Sequence, residues 1–560
     1  MQRTCTLCSA GFMIDDIDLA FYDKLSPEFG GKKMAIPPPT LCPECRLQRR
    51  LAWRMERTLY FRTCDATKKK IMSVFPSDSP FRVFHPEAWY GDSWSGLDYG
   101  RPFDFNRPFH EQLGELMRAV PLLALSVVGT QNCEFVNQIG FSKNSYLIFE
   151  GDYNEDCLYG YRVFFDKICV DCTEVIHSQQ CYECTDCDTC FNLRSSQLCK
   201  QCSDSHFLYD CRGCASCFGC AGLRQKKYCL FNKQLTEEQY KKTLASFDVC
   251  NPQHMKAAWE QFTKIKLGLA RRAFIGEQNE NVSGNYIYES KDCDECFNIR
   301  GCRDCRYCDM VRESKDCMDY TVWGASAQLI YECGTSGVGL QNLRFCSECW
   351  ENCHDLLYCF QCVNGTGDCF GCVGLRHQKY CILNKQYTKE EYDALVPRII
   401  EHMQRTKEWG EFFPAAASPY GYNETTANEY FPMKKEDAIA RGWKWRDVLP
   451  SHAGAGTAVT VPSGDSVNLP DSAIEQIFAC EATNRPYRIT TQELRFYRDN
   501  HLPLPHFHPD ERHRQRMLLR NPRKLWDRQC SQCAKPIRTS YAPERAEKVV
   551  CEECYLKEVY

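Results

Sequence analysis

The apolar positions in the middle of this chain follow neither of the two usual periods. From Cys157 to Cys229 the cysteines keep one three-residue register: 157, 169, 172, 181, 184, 187, 190, 199, 202, 211, 214, 217, 220 and 229. Val163, Val175, Ser178, Leu193, Ser196, Ser205, Leu208 and Leu223 share it, and Asp, Glu, Lys, Gln and Ser fill the positions between. The register returns over Ser290, Cys293, Cys296, Ile299, Cys302, Cys305, Cys308, Val311, Ser314, Cys317 and Tyr320. A strand alternates every two residues and a helix repeats every 3.6 or so. A period of three fits a narrow solenoid, in which each short side sends one residue inward and coils bury a core only by stacking. Cysteine is small and among the most buried residue types, so it suits such an interior.

The arrays are duplicated. CFGCAGLRQKKYCLFNKQLTEEQY, 217–240, returns as CFGCVGLRHQKYCILNKQYTKEEY, 369–392, and CFNLRSSQLCKQC, 190–202, returns as CFNIRGCRDCRYC, 296–308. Each ends in a capping box, Thr236 with Gln239 and Thr388 with Glu391, which predicts helices over roughly 236–272 and 388–409. Such helices would cover the open ends of a solenoid.

The two chain ends also repeat each other. Arg46, Arg50, Arg54, Arg57 and Arg62 fall in step with Arg512, Arg516, Arg520, Arg523 and Arg528, and the interval from Cys45 to Cys64 equals that from Glu511 to Cys530. Each copy has two four-ligand slots. In the N-terminal copy the first slot is complete, with Cys5, Cys8, Cys42 and Cys45, and the second is degraded to Cys64, Thr67, His85 and Ala88. In the C-terminal copy the first is degraded to Cys480, Thr483, His508 and Glu511, and the second is complete, with Cys530, Cys533, Cys551 and Cys554. Paired CxxC knuckles suit tetrahedral Zn2+, so two structural zinc ions are expected. No slot has three ligands and an open position, the pattern of a catalytic zinc. Additional metal in the cysteine arrays, or a disulfide ladder, are the alternatives to buried thiols there.

Arg46, Arg50, Arg54 and Arg57 recur every three to four residues, on one helical face, as do Arg512, Arg516, Arg520 and Arg523. Three readings stay open. The arginines form a phosphate-contacting face for an RNA or DNA backbone, or a plain solvated face, or they pair with acids of the neighbouring array.

These patterns predict a mainly β chain. Two cysteine-rich β-solenoid arrays with helical caps are flanked by small treble-clef or zinc-ribbon modules at both ends. The expected units are a zinc-finger module at 1–90, an aromatic and helical connector at 91–130, array-plus-helix units at 131–272 and 273–410, an aromatic helical segment at 411–450, a flexible linker at 451–470 and a second zinc-finger module at 471–560. The linker would leave the last module loosely tethered.

Composition narrows the function classes. The chain has 560 residues, 41 cysteines and a net charge of −4, so bulk charge does not mark a polyanion binder. The opening MQRTCTLCSAGF lacks an apolar signal core, and no apolar run is long enough for a membrane helix. A cytoplasmic, reduced protein with no membrane partner is expected; export with internal disulfides is the rival.

Cys5, Cys8, Phe21, Tyr22, Pro39, Cys42, Cys45 and Arg46 resemble the treble-clef pattern CxxC…FY…P…CxxCR. The resemblance implies a zinc-nucleated hairpin and a helix starting near Cys42. Over nearly its whole length, through CPECR, DYGRPFDFNRPF, FLYDCRGC and CEECYLKEVY, the chain resembles an uncharacterised cysteine-rich zinc-ribbon family of candidate-phylum bacteria. Some relatives carry names suggesting a CoA transferase, but no nucleotide-cradling glycine motif supports that chemistry here. His177 and His206 lie beside the inward register and read as surface residues. The expectation is a non-enzymatic, zinc-binding scaffold that binds nucleic acid through its arginine helices. The alternatives are a protein–protein scaffold working through the solenoid flank with purely structural zinc, or a metal and thiol buffer.

Overall fold

A computed structural model of the protein describes residues 1–173, 179–182, 191–248, 250–337, 340, 343–350, 352–451, 453–454 and 456–559. His177, Val175, Ser178, Cys184, Cys187 and Cys190 lie outside the described residues.

The period of three sets the central architecture. Strands pair in parallel with the segment twelve residues on, along Val128, Gly140, Asp152 and Phe164. The same step runs through Val170, Tyr182, Arg194, His206, Phe218 and Leu230. The first ladder thus begins well before Cys157. Its early inward positions, Val136, Ile139, Ser142, Ser145 and Ile148, keep the register without cysteine.

In the second array the step lengthens to thirteen residues through Met318, Tyr331, Arg344, Leu357 and Phe370, then returns to twelve at Ile382. Those four one-residue insertions hide the register after Tyr320. They also explain why Asp171 and Asp319 are 148 residues apart, whereas Cys217 and Cys369 are 152 apart.

The residue before each inward position takes left-handed backbone, as at Gln201, Asp210, Asp304 and Asp316. Non-glycine residues rarely adopt it, and among the described residues it recurs as a regular turn before the inward side chain. Inward cysteines serve those turns. The Cys302 thiol lies 3.5 Å from the carbonyls of both Arg300 and Val311. Serine does the same work: Ser290 Oγ donates to Tyr288 O at 2.8 Å and accepts from Cys302 N at 3.1 Å. Cysteine therefore both fills space and weakly satisfies backbone carbonyls. We expect Cys302→Ser to cost no more than about 1 kcal/mol, whereas Cys302→Val, which adds bulk and removes the donor, costs about 1–3 kcal/mol. Urea midpoints of the two variants check this, and equal losses would overturn the dual role.

Helices are more prominent than the apolar pattern suggests. With 25% helix and 28% strand the protein is mixed α/β with parallel sheets, not mainly β. The two capping boxes form as expected, at the helices Glu237–Ala245 and Lys389–Thr406. The first stretch breaks before a second helix, Pro252–Gly268, because Asn251 and Pro252 start a new one. In the connector, the helix Phe109–Ala119 is fixed at its start by Glu408, whose carboxylate accepts the backbone N–H groups of Phe109 and His110 at 2.9 and 2.8 Å.

The 451–470 stretch is not free along its whole length. Val459 bridges to Phe478, Val461 joins the main core and Ser466 N donates to Leu502 O. Nor is the last module loosely tethered. Arg271–Arg272 pairs in parallel with Val549–Val550, and Asn285 Nδ2 donates to Ser540 Oγ at 2.7 Å.

Candidate functional site

The end modules follow the same element order, apart from a hairpin of Glu28–Phe29 with Lys32–Lys33 in the N-terminal copy. Each begins with a short antiparallel hairpin, Gln2–Thr4 with Gly11–Met13 and Phe478–Ala479 with Pro486–Tyr487. A capped helix follows, Asp16–Leu25 or Thr491–Asp499, then the arginine helix, Pro43–Leu51 or Pro509–Leu518. A second hairpin and a last helix close each copy, Tyr60–Thr63 with Lys70–Ser73 then Pro86–Tyr90, and Trp526–Gln529 with Pro536–Thr539 then Glu552–Val559. The helix after Cys42 starts where the treble-clef resemblance implies.

Cys5, Cys8, Cys42 and Cys45 converge, as do Cys530, Cys533, Cys551 and Cys554, with all sulfurs of each set within 4.8 Å of one another. Cys8 and Cys42 are 3.7 Å apart, as are Cys533 and Cys551. Tetrahedral Zn–S bonds of about 2.3 Å require S···S edges of about 3.8 Å, so both sets fit Zn2+. One thiol in each set is shifted down. A hydrogen bond from Cys45, helped by its backbone N–H, brings the Cys42 thiol down to about 5, and Cys45 is pushed up in turn. Burial raises Cys530, but the backbone N–H groups of Cys533 and Cys551 outweigh it and bring the thiol to about 6. Among the described residues these are the two groupings with metal-ligand geometry.

The degraded slots keep the knuckle but not the ligands. Cys64 Sγ accepts from the backbone N–H of Thr67 at 3.4 Å and of His85 at 3.3 Å, much as Cys530 Sγ accepts from Cys551 N at 3.2 Å. In the other copy Glu511 turns to Arg514 and Gln515, and His508 Nδ1 accepts from Asp510 N at 3.1 Å. Packing has replaced the ion. Burial pushes His508 and, in the connector, His110 down to about 4. The unfolded chain therefore binds these protons first, and stability present above about pH 6.5 is lost as pH falls toward 4. Urea midpoints at pH 7 and pH 5 should show the drop, and His110→Gln should reduce it.

The arginines are not at the surface. Arg46, Arg50, Arg54, Arg512, Arg516, Arg520 and Arg523 are buried, and Arg57 is largely covered. Arg46 Nε donates to Asp319 Oδ2 at 2.8 Å and Arg50 Nη1 to Asp319 Oδ1 at 3.1 Å. In the other module Arg512 Nη1 donates to Asp171 Oδ2 and Arg516 Nη1 to Asp171 Oδ1, the latter at 2.8 Å. Both aspartates take left-handed backbone, a conformation Asp tolerates better than most residues. Arg46 also lies over Tyr307, and Arg512 over Tyr159, at 5.1 and 4.2 Å.

The later arginines of each row reach the other array. Arg54 approaches Glu150 at 3.6 Å and Arg57 covers Phe149, while Arg520 donates to Asn298 at 2.7 Å and Arg523 pairs with Asp309 at 3.0 Å. Each row therefore ties the two arrays together, and each module clamps the array belonging to the opposite half of the chain. Burial works against the charge on Arg46 and Arg512, and Asp319 and Asp171 more than offset it.

The exposed face for an RNA or DNA backbone expected of these eight arginines is not present, because all eight are buried or largely covered. A polynucleotide backbone would have to displace a module to reach them. This is why the rows persist in both copies although one zinc slot is lost from each. The acceptors were missed in the sequence. The faint signal for them is Cys-x-Asp, at Cys169–Asp171 and again at Cys317–Asp319.

No helix among the described residues is long and apolar enough to cross a membrane. No protein-family model matches the chain, and no curated protein matches it.

Proposed function

We propose that the protein is a non-enzymatic scaffold: two β-solenoid arrays, locked side by side by zinc-bearing end modules, that present a flank to a protein partner. The twelve-residue parallel ladders support the solenoid reading, and the buried clamps support a structural role for the modules. One observation carries the partner. On the first array Phe141, Tyr153 and Phe165 stand one coil apart in a stacked file, with ring centroids 5.0 and 5.1 Å apart and side chains 52%, 52% and 54% exposed. Val128 and Ile168 are further exposed apolar residues of the same array. Exposed rings in an ordered row are costly to leave in water, and strips of this kind mark interaction surfaces.

The test is affinity capture from nuclease-treated extract with the wild type and with Phe141→Ser/Tyr153→Ser/Phe165→Ser. A nuclease-resistant partner lost in the triple variant, with zinc content unchanged, supports the reading. A partner retained at wild-type level, or binding only to salt-sensitive RNA or DNA, would sink it.

A further inference from the structure

Where the two arginine rows meet, a cavity of about 760 Å3 opens between both end modules, both arrays and the 411–450 segment. That size suits a small organic ligand, for which sites of roughly 300–1,000 Å3 are usual. Tyr146, Tyr286 and Phe297 are among the aromatic residues that line it. Polar residues line it as well. Arg523 is 7% exposed, with its guanidinium carbon 3.4 Å from the centre of the Tyr430 ring. It pairs with Asp309, yet none of its nitrogens makes a directed hydrogen bond. Arg57 Nη1, Asn521 Nδ2, Tyr430 Oη and Glu429 Oε1, all lining the same cavity, are also buried without a hydrogen-bond partner. Buried polar groups are nearly always paired, and such a concentration around one cavity is unusual.

The sign of the missing partner follows from the charges. The carboxylates that line the cavity are engaged: Glu56 with Arg54, Glu424 with Tyr60, Asp510 with Arg57 and Arg485, and Glu429 through its other oxygen with His513. The unsatisfied groups are mostly donors, and two of them are guanidinium groups, which grip phosphate oxygens well.

We propose that this cavity binds a small phosphate ester carrying a flat ring, the phosphate held by Arg523 and Arg57 and the ring stacked among Tyr146, Tyr286 and Phe297. Glu429 Oε1 and Tyr430 Oη then take polar groups on the ring or its sugar. Nucleoside phosphates and pyridoxal-type phosphates share this chemistry.

The experiment is a thermal-shift and calorimetric titration of the full-length, zinc-loaded protein with AMP, GMP, pyridoxal 5′-phosphate, inorganic phosphate and adenosine. At least one ring phosphate should raise Tm with concentration, and phosphate or adenosine alone at the same concentration should not. Which ring phosphate binds separates the two sources. Arg523→Gln should abolish the shift. Should that variant fail to fold, Asn521→Asp places a negative charge in the cavity at a partly exposed position and should weaken binding at least tenfold. No shift with any ring phosphate at millimolar concentration, or wild-type affinity in Asn521→Asp, overturns the assignment.

Discussion

Asp171→Asn is expected to release the C-terminal module from the first array. The substitution keeps the shape of the side chain and removes the charge that Arg512 and Arg516 share. Two guanidinium groups then remain in a buried site against a neutral amide. Removing one partner of a buried ion pair costs about 3–5 kcal/mol, because the remaining charge stays desolvated. Glu493 still faces Arg512 at 3.3 Å, so the lower part of that range applies to Arg512.

Asp319→Asn should do the same to the N-terminal module, with Glu332 retained near Arg49 and Arg50. Urea unfolding should show an early transition in each variant. Limited proteolysis should cut within 451–470 for Asp171→Asn, and hydrogen exchange should rise in the module that has been freed. Zinc content should stay at two ions, because neither aspartate touches the thiolates. Replacing the clamp as a unit, with Asp171→Leu, Arg512→Met and Arg516→Met, should recover much of the loss, since buried ion pairs are often replaceable by packed apolar groups. A loss under about 1 kcal/mol for both single variants would mean that the arginine rows do not hold the modules in place.

Zinc removal should have the other large effect. The two four-cysteine sets fit one ion each, and apparent zinc free energies in small modules reach about 10–16 kcal/mol near neutral pH. Titrating the thiols with a mercurial should release two zinc ions per chain. Cys42→Ser and Cys551→Ser should each lower this to one, whereas Cys64→Ser and Cys480→Ser should leave it at two. The array ladders do not contain these ions, so chelation should unfold the module ends while far-ultraviolet signal from the arrays persists. Most array thiols should stay unreactive until denaturant is added, because they are buried. More than two ions per chain would move the arrays from packing to metal storage.

Much of this molecule can be read along the chain because its patterns are local or repeated. A CxxC knuckle sets both ligands of a pair by itself, so the two complete slots are visible without a fold. The capping boxes at Thr236 and Thr388 are local in the same way. The three-residue register is a packing rule repeated from strand to strand, and it shows wherever cysteine marks the inward position. It fades where Val, Ile and Ser replace cysteine upstream of Cys157, and where single insertions shift the count after Tyr320. The helical share was underestimated because several helices belong to the end modules, where few apolar residues mark them.

The chain by itself determined the zinc ligands, the duplication of both modules and arrays, and the inward column. Each depends on residues a few positions apart or on exact repetition. Only the tertiary structure decided what the arginines do. The same spacing serves a solvated phosphate-binding face and a buried clamp, and the difference is the partner. That partner is one carboxylate, Asp319 or Asp171, hundreds of residues away along the chain and set on left-handed backbone. A buried charge needs its counter-charge within hydrogen-bond reach, and that proximity exists only after the arrays have stacked and each module has crossed to the opposite half.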